Sequence, residues 1–368
     1  MRIALLGTRG VPAAYSGFET AVENLGVRLA ARGHDVTVYC RPHMVEGRYT
    51  VYRGMRLAYL PTVRSKHLDT FVHSFVSTLH MAVAARPDVA CYFIAGNSPF
   101  ALLSRLLGVP SMLNVDGLDS RRAKWSGLAK TYLRWAERRA PRFATRVITD
   151  SRAVQSFYAD ELGAQTEYIP YGADVPATGS RRQLERFGLQ PRDYILFVGR
   201  LVPENNAHVL LEAFAGLETG LRLVIVGDAA YADEYQAALK ATTDPRVVFT
   251  GYVFGDGYGE LARNAALFVV PTEVGGTHPV LIEAMAAGNC VVVNDHAPNL
   301  ETIGDAGVAY RGAGGAGALR EVLRDLLDQP EKVESLGRAA AARAAALYSW
   351  DAVTDSYERL ARTLAGRE

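Results

Sequence analysis

The chain repeats one rhythm twice, and that rhythm limits its fold more than any single residue does. Six short apolar segments, "RIALLG", "DVTVYC", "RLAYLP", "ACYFIAG", "SMLNVDG" and "RVITDS", are separated by helical stretches such as "ETAVENLGVRLAARG". Segments that are apolar throughout, rather than at alternate positions, suit parallel strands covered on both faces. Proline, glycine and charge then interrupt the pattern over "PYGADVPATGSRRQLERFGLQPRD", and it resumes with "YILFVGR", "LRLVIVGD", "RVVFTGYV", "ALFVVPT", "NCVVVND" and "GVAYRG". At 368 residues the chain exceeds what one core usually supports. The expected architecture is α/β: two Rossmann-like, doubly wound domains, 1–175 and 176–345, facing a cleft beyond the carboxyl ends of their strands. The alanine-rich segment 346–368 reads as a closing helix. It either packs back on the first domain through Trp350 and Tyr357 or is simply the last helix of the second.

Composition narrows the function classes. With 49% hydrophobic and 21% charged residues the chain reads as globular, and a net charge of +1 gives no field to favour nucleic acid. Cys40, Cys91 and Cys290 are too scattered for a disulfide framework or a zinc site, and no D-x-D exists to clamp a metal. The expectation is no metal and no cofactor. The amino terminus lacks a signal-peptide pattern and no segment has the length of an apolar span, so the expected location is cytoplasmic, with peripheral contact to the inner face of the membrane as an option.

Three strand-to-helix junctions carry candidate chemistry. In "FVGRLVPENN", Gly199 and Arg200 follow a strand and precede a helix start, where a cation and free amides favour an anion; a plain surface arginine is the alternative. In "EVGGTHPVLIEAMAAG", Gly275 and Gly276 permit a tight approach, Pro279 suits a first helical turn, and Glu283 can accept bonds from vicinal hydroxyls. A carboxylate near a helix start is also a common dipole partner. In "GTRGVPAAYSGFETAVENL" the glycines miss the G-x-G-x-x-G spacing and no Walker lysine is present, which weakens a nicotinamide or ATP reading, while Ser16 and Gly17 sit at a helix start. Asp116, at the tip of "NVDGLD", is a candidate site carboxylate or a turn residue.

Between Arg121 and Arg146 lie nine Lys or Arg and one Glu, interleaved with Trp125, Leu128, Tyr132, Leu133 and Trp135. Two readings fit: an interfacial helix for an anionic membrane surface, or a solvated helix whose aromatic stripe packs on the sheet.

Taken together, "GFETAVENLGVRLAARGHDVTVYC", "RVITDSRAV", "YIPYGADV", "GRLVPENNAHVLLEAF" and "PVLIEAMAAGNCVVVND" resemble glycosyltransferase family 4, retaining enzymes of the GT-B fold, over nearly the whole chain. The finer features "NVDGLD", "VPENN" and "EVGGTHPVLIEAM" look most like its bacterial rhamnosyltransferase branch, which uses dTDP-rhamnose. The resemblance implies catalytic roles for Arg200, Asp116 and Glu273. It implies donor contacts from Gly17, Gly199, Arg200, Asn205, the Tyr252 main chain, the Gly276, Thr277, His278 and Pro279 segment, and Glu283. Three positions depart from the family pattern: Glu273 lies two residues ahead of the usual first glutamate, Asn205 replaces a lysine, and Asp116 replaces a histidine.

The resemblance further implies transfer of a hexose from a nucleotide diphosphate sugar to a saccharide or polyprenyl-linked glycolipid in cell-envelope polysaccharide synthesis. Two other readings remain open here, a nucleotide-sugar-binding scaffold without catalysis and a GT-B nucleotide-sugar epimerase.

Overall fold

The computed structural model describes residues 1–13, 17–45, 47–65, 68–118, 120, 127–174, 179–229 and 233–367. The chain forms two compact units, the first comprising Met1–Gly172, Gly275–Thr277 and Trp350–Glu368, the second Ala173–Val274 and His278–Ser349.

The first unit runs β1 (Arg2–Leu6), α1 (Gly17–Ala31), β2 (Asp35–Cys40), β3 (Val51–Tyr52), β4 (Met55–Tyr59), α2 (Asp69–His80), β5 (Val89–Phe93), α3 (Ser98–Leu106), β6 (Ser111–Val115), α4 (Gly127–Phe143), β7 (Arg146–Thr149), α5 (Arg152–Leu162) and β8 (Glu167–Tyr168). The strands form one sheet in the order β3-β4-β2-β1-β5-β6-β7-β8. Ile3 aligns with Val36 on one side and Val89 on the other. Among the described residues of this sheet, only β3 and β4 pair antiparallel. They turn through Arg53 (φ 47°) and Gly54 (φ 86°), the two positive dihedrals that match a tight hairpin to strand twist. All five residues of β5 and all five of β6 are buried, as an apolar run covered on both faces requires.

The second unit runs α6 (Arg182–Phe187), β9 (Tyr194–Val198), α7 (Ala207–Ala215), β10 (Arg222–Val226), α8 (Asp233–Lys240), β11 (Val247–Gly251), α9 (Gly255–Asn264), β12 (Leu267–Val270), α10 (Pro279–Ala286), β13 (Cys290–Asn294), α11 (Ala297–Ile303), β14 (Val308–Tyr310), α12 (Gly315–Leu327) and α13 (Pro330–Leu347). Its parallel sheet has the order β11-β10-β9-β12-β13-β14. Ile195, Phe197, Ile225, Val269 and Val292 on one face meet Leu210 and Phe214 of α7 and Leu319 and Leu323 of α12. Truncating any one of these leucines to Ala costs about 2–5 kcal/mol. Successive strands run outward in opposite directions from β9 and β12, so the sheet has its switch point there, where the two following loops part and leave room for a ligand.

The last helix, α14 (Trp350–Leu364), belongs to the first unit. Trp350, Val353, Tyr357 and Ala361 recur every three or four residues and are buried, which gives the helix one anchoring face. Its polar side meets α1 through Arg28 with Asp351 (3.2 Å) and Arg32 with Asp355 (2.6 Å) and Glu358 (2.9 Å). Such exposed pairs contribute at most about 1 kcal/mol each, so the apolar stripe does most of the holding. Among the described residues no helix is long and apolar enough to cross a membrane.

Candidate active site

At the switch point of the second unit, the loop after β9 carries Gly199 and Arg200. Gly227, at the end of β10, has φ 134°, and a Cβ there would overlap the Gly199 carbonyl oxygen. The two strand ends therefore approach at backbone distance, and the Gly199 amide donates to Val226 at 3.0 Å. Asn205 turns its side-chain amide onto the Arg200 carbonyl at 2.8 Å. The Arg200 side chain itself is half-buried and has no carboxylate partner among the described residues. An uncompensated guanidinium at a strand end is a natural anion site.

The loop after β12 joins this turn. Asn206 donates to the Pro271 carbonyl at 3.1 Å, and the Glu273 amide to the Glu204 carbonyl at 3.5 Å. The Glu273 side chain is exposed, and its charge bears on the Tyr310 hydroxyl. In α10, Pro279 fills the first helical position and the His278 side chain does not cap the turn. Glu283, one turn in, keeps part of its surface open. Desolvation by burial is the main cause that pushes its pKa up to about 7, with the charge of Asp174 adding to it and the adjacent Tyr258 hydroxyl opposing. A carboxylate poised there gains most when ligand hydroxyls donate to it, because hydrogen bonds to the charged form replace lost hydration.

The first unit holds a second group of candidates. The Asp116 carboxyl, past the end of β6, is partly exposed and lies beside Asp150, which follows β7 and is fully buried. Gly117, in the left-handed region at φ 64°, backs onto Gly276, where a Cβ would lie 2.7 Å from the amide nitrogen. The Thr277 amide donates to Asp150 Oδ2 at 2.9 Å, and its hydroxyl to the Asp150 carbonyl at 2.7 Å.

The chain is similar to known proteins in sequence and in fold. Residues 181–343 match the family model of glycosyl transferases group 1, and residues 16–172 that of the glycosyl transferase 4-like domain. The chain belongs to the GT-B glycosyltransferases. It is 28% identical to the GDP-mannose-dependent alpha-(1-6)-phosphatidylinositol monomannoside mannosyltransferase of Mycolicibacterium smegmatis, covering 99% of this chain and 98% of that one. Among solved structures it is similar to sucrose-phosphate synthase from Thermosynechococcus elongatus, with a TM-score of 0.82 at 21% identity and full coverage of both chains. It is likewise similar to Anabaena HepE in complex with UDP-glucose, at TM-score 0.79 and 18% identity, again over the whole of both.

In this glycosyltransferase, Gly199, Arg200, Asn205, Glu273, His278, Pro279 and Glu283 all fall on the two loops and the helix start around one switch point. Gly276 and Thr277, from the same loop, sit in the first unit, and the Thr277 amide is already engaged by Asp150. Tyr252 follows β11 and stacks on Phe254, with centroids 5.5 Å apart and planes within 15°. Both rings are exposed, at 46% and 57%. Phe254 was not singled out from the sequence; the spacing Tyr-x-Phe just after a strand was its only signal. Gly17 opens α1, whose carboxylates cap the preceding loop, Glu19 accepting from the Arg9 amide at 3.0 Å and Glu23 from the Ala13 amide at 2.8 Å. Ser16 lies outside the described residues.

The basic segment is described only in part. Trp125 and residues 121–126 lie outside the described residues; along α4 the Tyr132, Trp135 and Phe143 rings form one row, with centroids 5.9 and 5.6 Å apart. Leu133 is buried and Tyr132 donates to the Gly96 carbonyl at 2.6 Å, whereas Leu128 (89%) and Trp135 (43%) face solvent beside exposed Arg134, Arg138, Arg139 and Arg142. Positions 133 and 136 face the interior and 128 faces solvent, while the rings at 132 and 135 lie side by side on the margin between the two faces. The segment's one acid, Glu137, is buried and accepts from the Ser120 amide (2.8 Å) and hydroxyl (2.6 Å), which leaves the outer face cationic.

Proposed function

We propose that this glycosyltransferase moves a hexose from a nucleotide diphosphate sugar to a saccharide or polyprenyl-linked acceptor, with retention at the anomeric carbon. The observation that carries the reading is the half-buried Arg200 guanidinium, without a carboxylate partner among the described residues, at the switch point that also holds Glu283. Arg200 would stabilise charge developing on the departing diphosphate, together with the positive end of α10. Glu283 would accept the vicinal hydroxyls of the ribose, and the Tyr252 main chain would meet the base. No protein nucleophile is needed if a donor phosphate oxygen helps remove the acceptor proton on the same face.

For the donor we propose dTDP-rhamnose, on the resemblance of "NVDGLD", "VPENN" and "EVGGTHPVLIEAM" to the rhamnosyltransferase branch. The relatives differ: by their names, one depends on GDP-mannose and another was solved with UDP-glucose. The acceptor proposal draws on the mannosyltransferase relative, whose name gives phosphatidylinositol monomannoside. An anionic membrane surface is the proposed partner of α4, supported by its exposed cations and by an apolar row on α2 and the turn after it, Leu68, Phe71, Phe75, Leu79 and Val83, all exposed at helical spacing. That placement fits a cytoplasmic protein on the inner face of the membrane, with no metal or cofactor.

The test is transfer by the purified chain from dTDP-rhamnose, GDP-mannose and UDP-glucose to a polyprenyl diphosphate saccharide. Arg200→Ala should lower kcat by roughly 100- to 1000-fold without changing the circular dichroism spectrum. A kcat within threefold of the parent would remove Arg200 from the reaction.

A further inference from the structure

Glu137 is the one acid of α4, and it faces inward. The other buried residues of that helix, Leu133, Ala136 and Ala140, are apolar, yet Glu137 among them is only 2% exposed. A carboxylate placed there costs more than an apolar side chain unless hydrogen bonds replace its lost hydration. Both of its oxygens have such a bond, and both come from one residue. Oε1 accepts from the Ser120 amide at 2.8 Å and Oε2 from the Ser120 hydroxyl at 2.6 Å. Two donors on one residue call for two adjacent acceptors, which a carboxylate offers and an apolar side chain does not.

The helix that carries Glu137 is itself fixed. The Ser98 hydroxyl at the start of α3 donates to the Ala136 carbonyl at 2.9 Å, and Tyr132 to the Gly96 carbonyl at 2.6 Å. At the other end, Ser120 closes the short segment that leaves β6, and β6 is held on both sides, with Asn114 aligned to Phe93 of β5 and to Ile148 of β7. Asp116 and Gly117 lie between these fixed points. Gly117 has little slack, since a Cβ there would stand 2.7 Å from the Gly276 amide nitrogen. A segment this short, pinned at both ends, has few conformations left.

We propose that Glu137 is a positioning residue: by holding Ser120 at two points it fixes the segment that carries Asp116, and so sets where that carboxyl stands at the tip of β6 for a substrate hydroxyl. This rests on the transferase reading, in which Asp116 belongs to the site. Glu137 touches no substrate and acts through Ser120. Stability alone does not select a glutamate here, because an apolar side chain would fill the same place without the desolvation cost; the fixed position of the segment is what the carboxylate adds.

The first arm of the test needs no activity. Glu137→Leu roughly keeps the volume and removes both acceptors, whereas Glu137→Gln keeps an acceptor for the amide and a polar partner for the hydroxyl. Amide exchange over 116–120, followed by mass spectrometry, should be at least about tenfold faster in the Leu variant and within about threefold of the parent in the Gln variant, while 111–115 exchanges as in the parent. Ser120→Ala removes the hydroxyl bond alone and serves if the Leu variant does not fold; its exchange over 116–120 should rise at least about threefold. Parental exchange in every variant that folds overturns the clamp, and so does an equal rise over 111–115, which marks general loosening.

The second arm reads transfer. Glu137→Leu and Ser120→Ala should lower kcat at least about tenfold and threefold, with the Kd for dTDP, GDP or UDP, whichever the parent binds, within about twofold. In an Asp116→Asn background the same changes should cost less than about twofold, because no carboxylate is left to place. Parental kcat, or losses that multiply with that of Asp116→Asn, overturn the positioning role. A parent that transfers no sugar from any donor defeats the transferase reading alone, since the exchange series still decides the clamp.

Discussion

The side-chain amide of Asn205 donates to the main-chain carbonyl of Arg200 at 2.8 Å, across the turn that follows β9. The residue that stands where the family places a second cation thus shapes the loop bearing the first. Asn205→Ala should lower kcat about tenfold by loosening Arg200 and cost only about 1 kcal/mol of stability, the usual worth of one such bond. Steady-state kinetics beside urea unfolding check it. A variant with parental kcat would mean that the turn keeps its shape unaided.

Glu283 predicts a pH effect of definite sign. Its pKa in the folded chain is raised to about 7, so the stabilisation from its neutral form is complete below the unfolded value near 4.5 and is lost as pH climbs through about 7. Glu283→Gln removes the titration. The variant should gain stability over the parent in urea at pH 8 relative to pH 5, and should bind a nucleoside diphosphate roughly 10- to 100-fold more weakly, since an amide oxygen replaces a charged acceptor. An unchanged Kd would take Glu283 out of the ribose contact.

Backbone proximity at the switch point gives a prediction about folding. Gly227 has φ 134° and leaves no room between its α-carbon and the Gly199 carbonyl. Gly227→Ala therefore combines a strained dihedral with a clash against main chain, and should destabilise by more than about 3 kcal/mol. Gly179→Ala, with nothing near its Cβ, is the matched control and should stay within about 0.5 kcal/mol. Comparable melting temperatures for the two would contradict the close approach of β9 and β10.

The outer face of α4 predicts a salt-sensitive attachment. Replacing exposed Arg134, Arg138, Arg139 and Arg142 by Gln should weaken binding to phosphatidylglycerol vesicles by up to about 1 kcal/mol per charge, and 0.5 M salt should release the parent. Cosedimentation measures both. Equal binding to neutral vesicles would defeat the electrostatic part.

Much of the fold could be read from the chain alone, because the twelve apolar segments carry their burial in their own composition. Those twelve correspond to β1, β2, β4, β5, β6, β7 and the six strands of the second unit. The short strands β3 and β8 could not be read that way. Each has two residues, too few for periodicity, and each exists only because a neighbouring strand offers an edge. The helical pattern over 127–143 was plain, but which of its aromatics would face inward depended on the position of α3 and of the Gly96 carbonyl that Tyr132 reaches.

The site divides in the same manner. Arg200, Glu283 and the paired glycines announce themselves as candidates, since a cation after a strand, a carboxylate one turn into a helix and a Gly-Gly approach are local facts of sequence spacing. Asp150 does not: "VITDSRAV" reads as a strand followed by an ordinary helix start, and Ser151 indeed caps α5. Its surroundings come from Thr277, 127 positions later, whose amide and hydroxyl meet it at a buried point. Local pattern determines which elements form, because propensity and burial act over a few residues; only the folded chain decides which distant groups meet at one buried point.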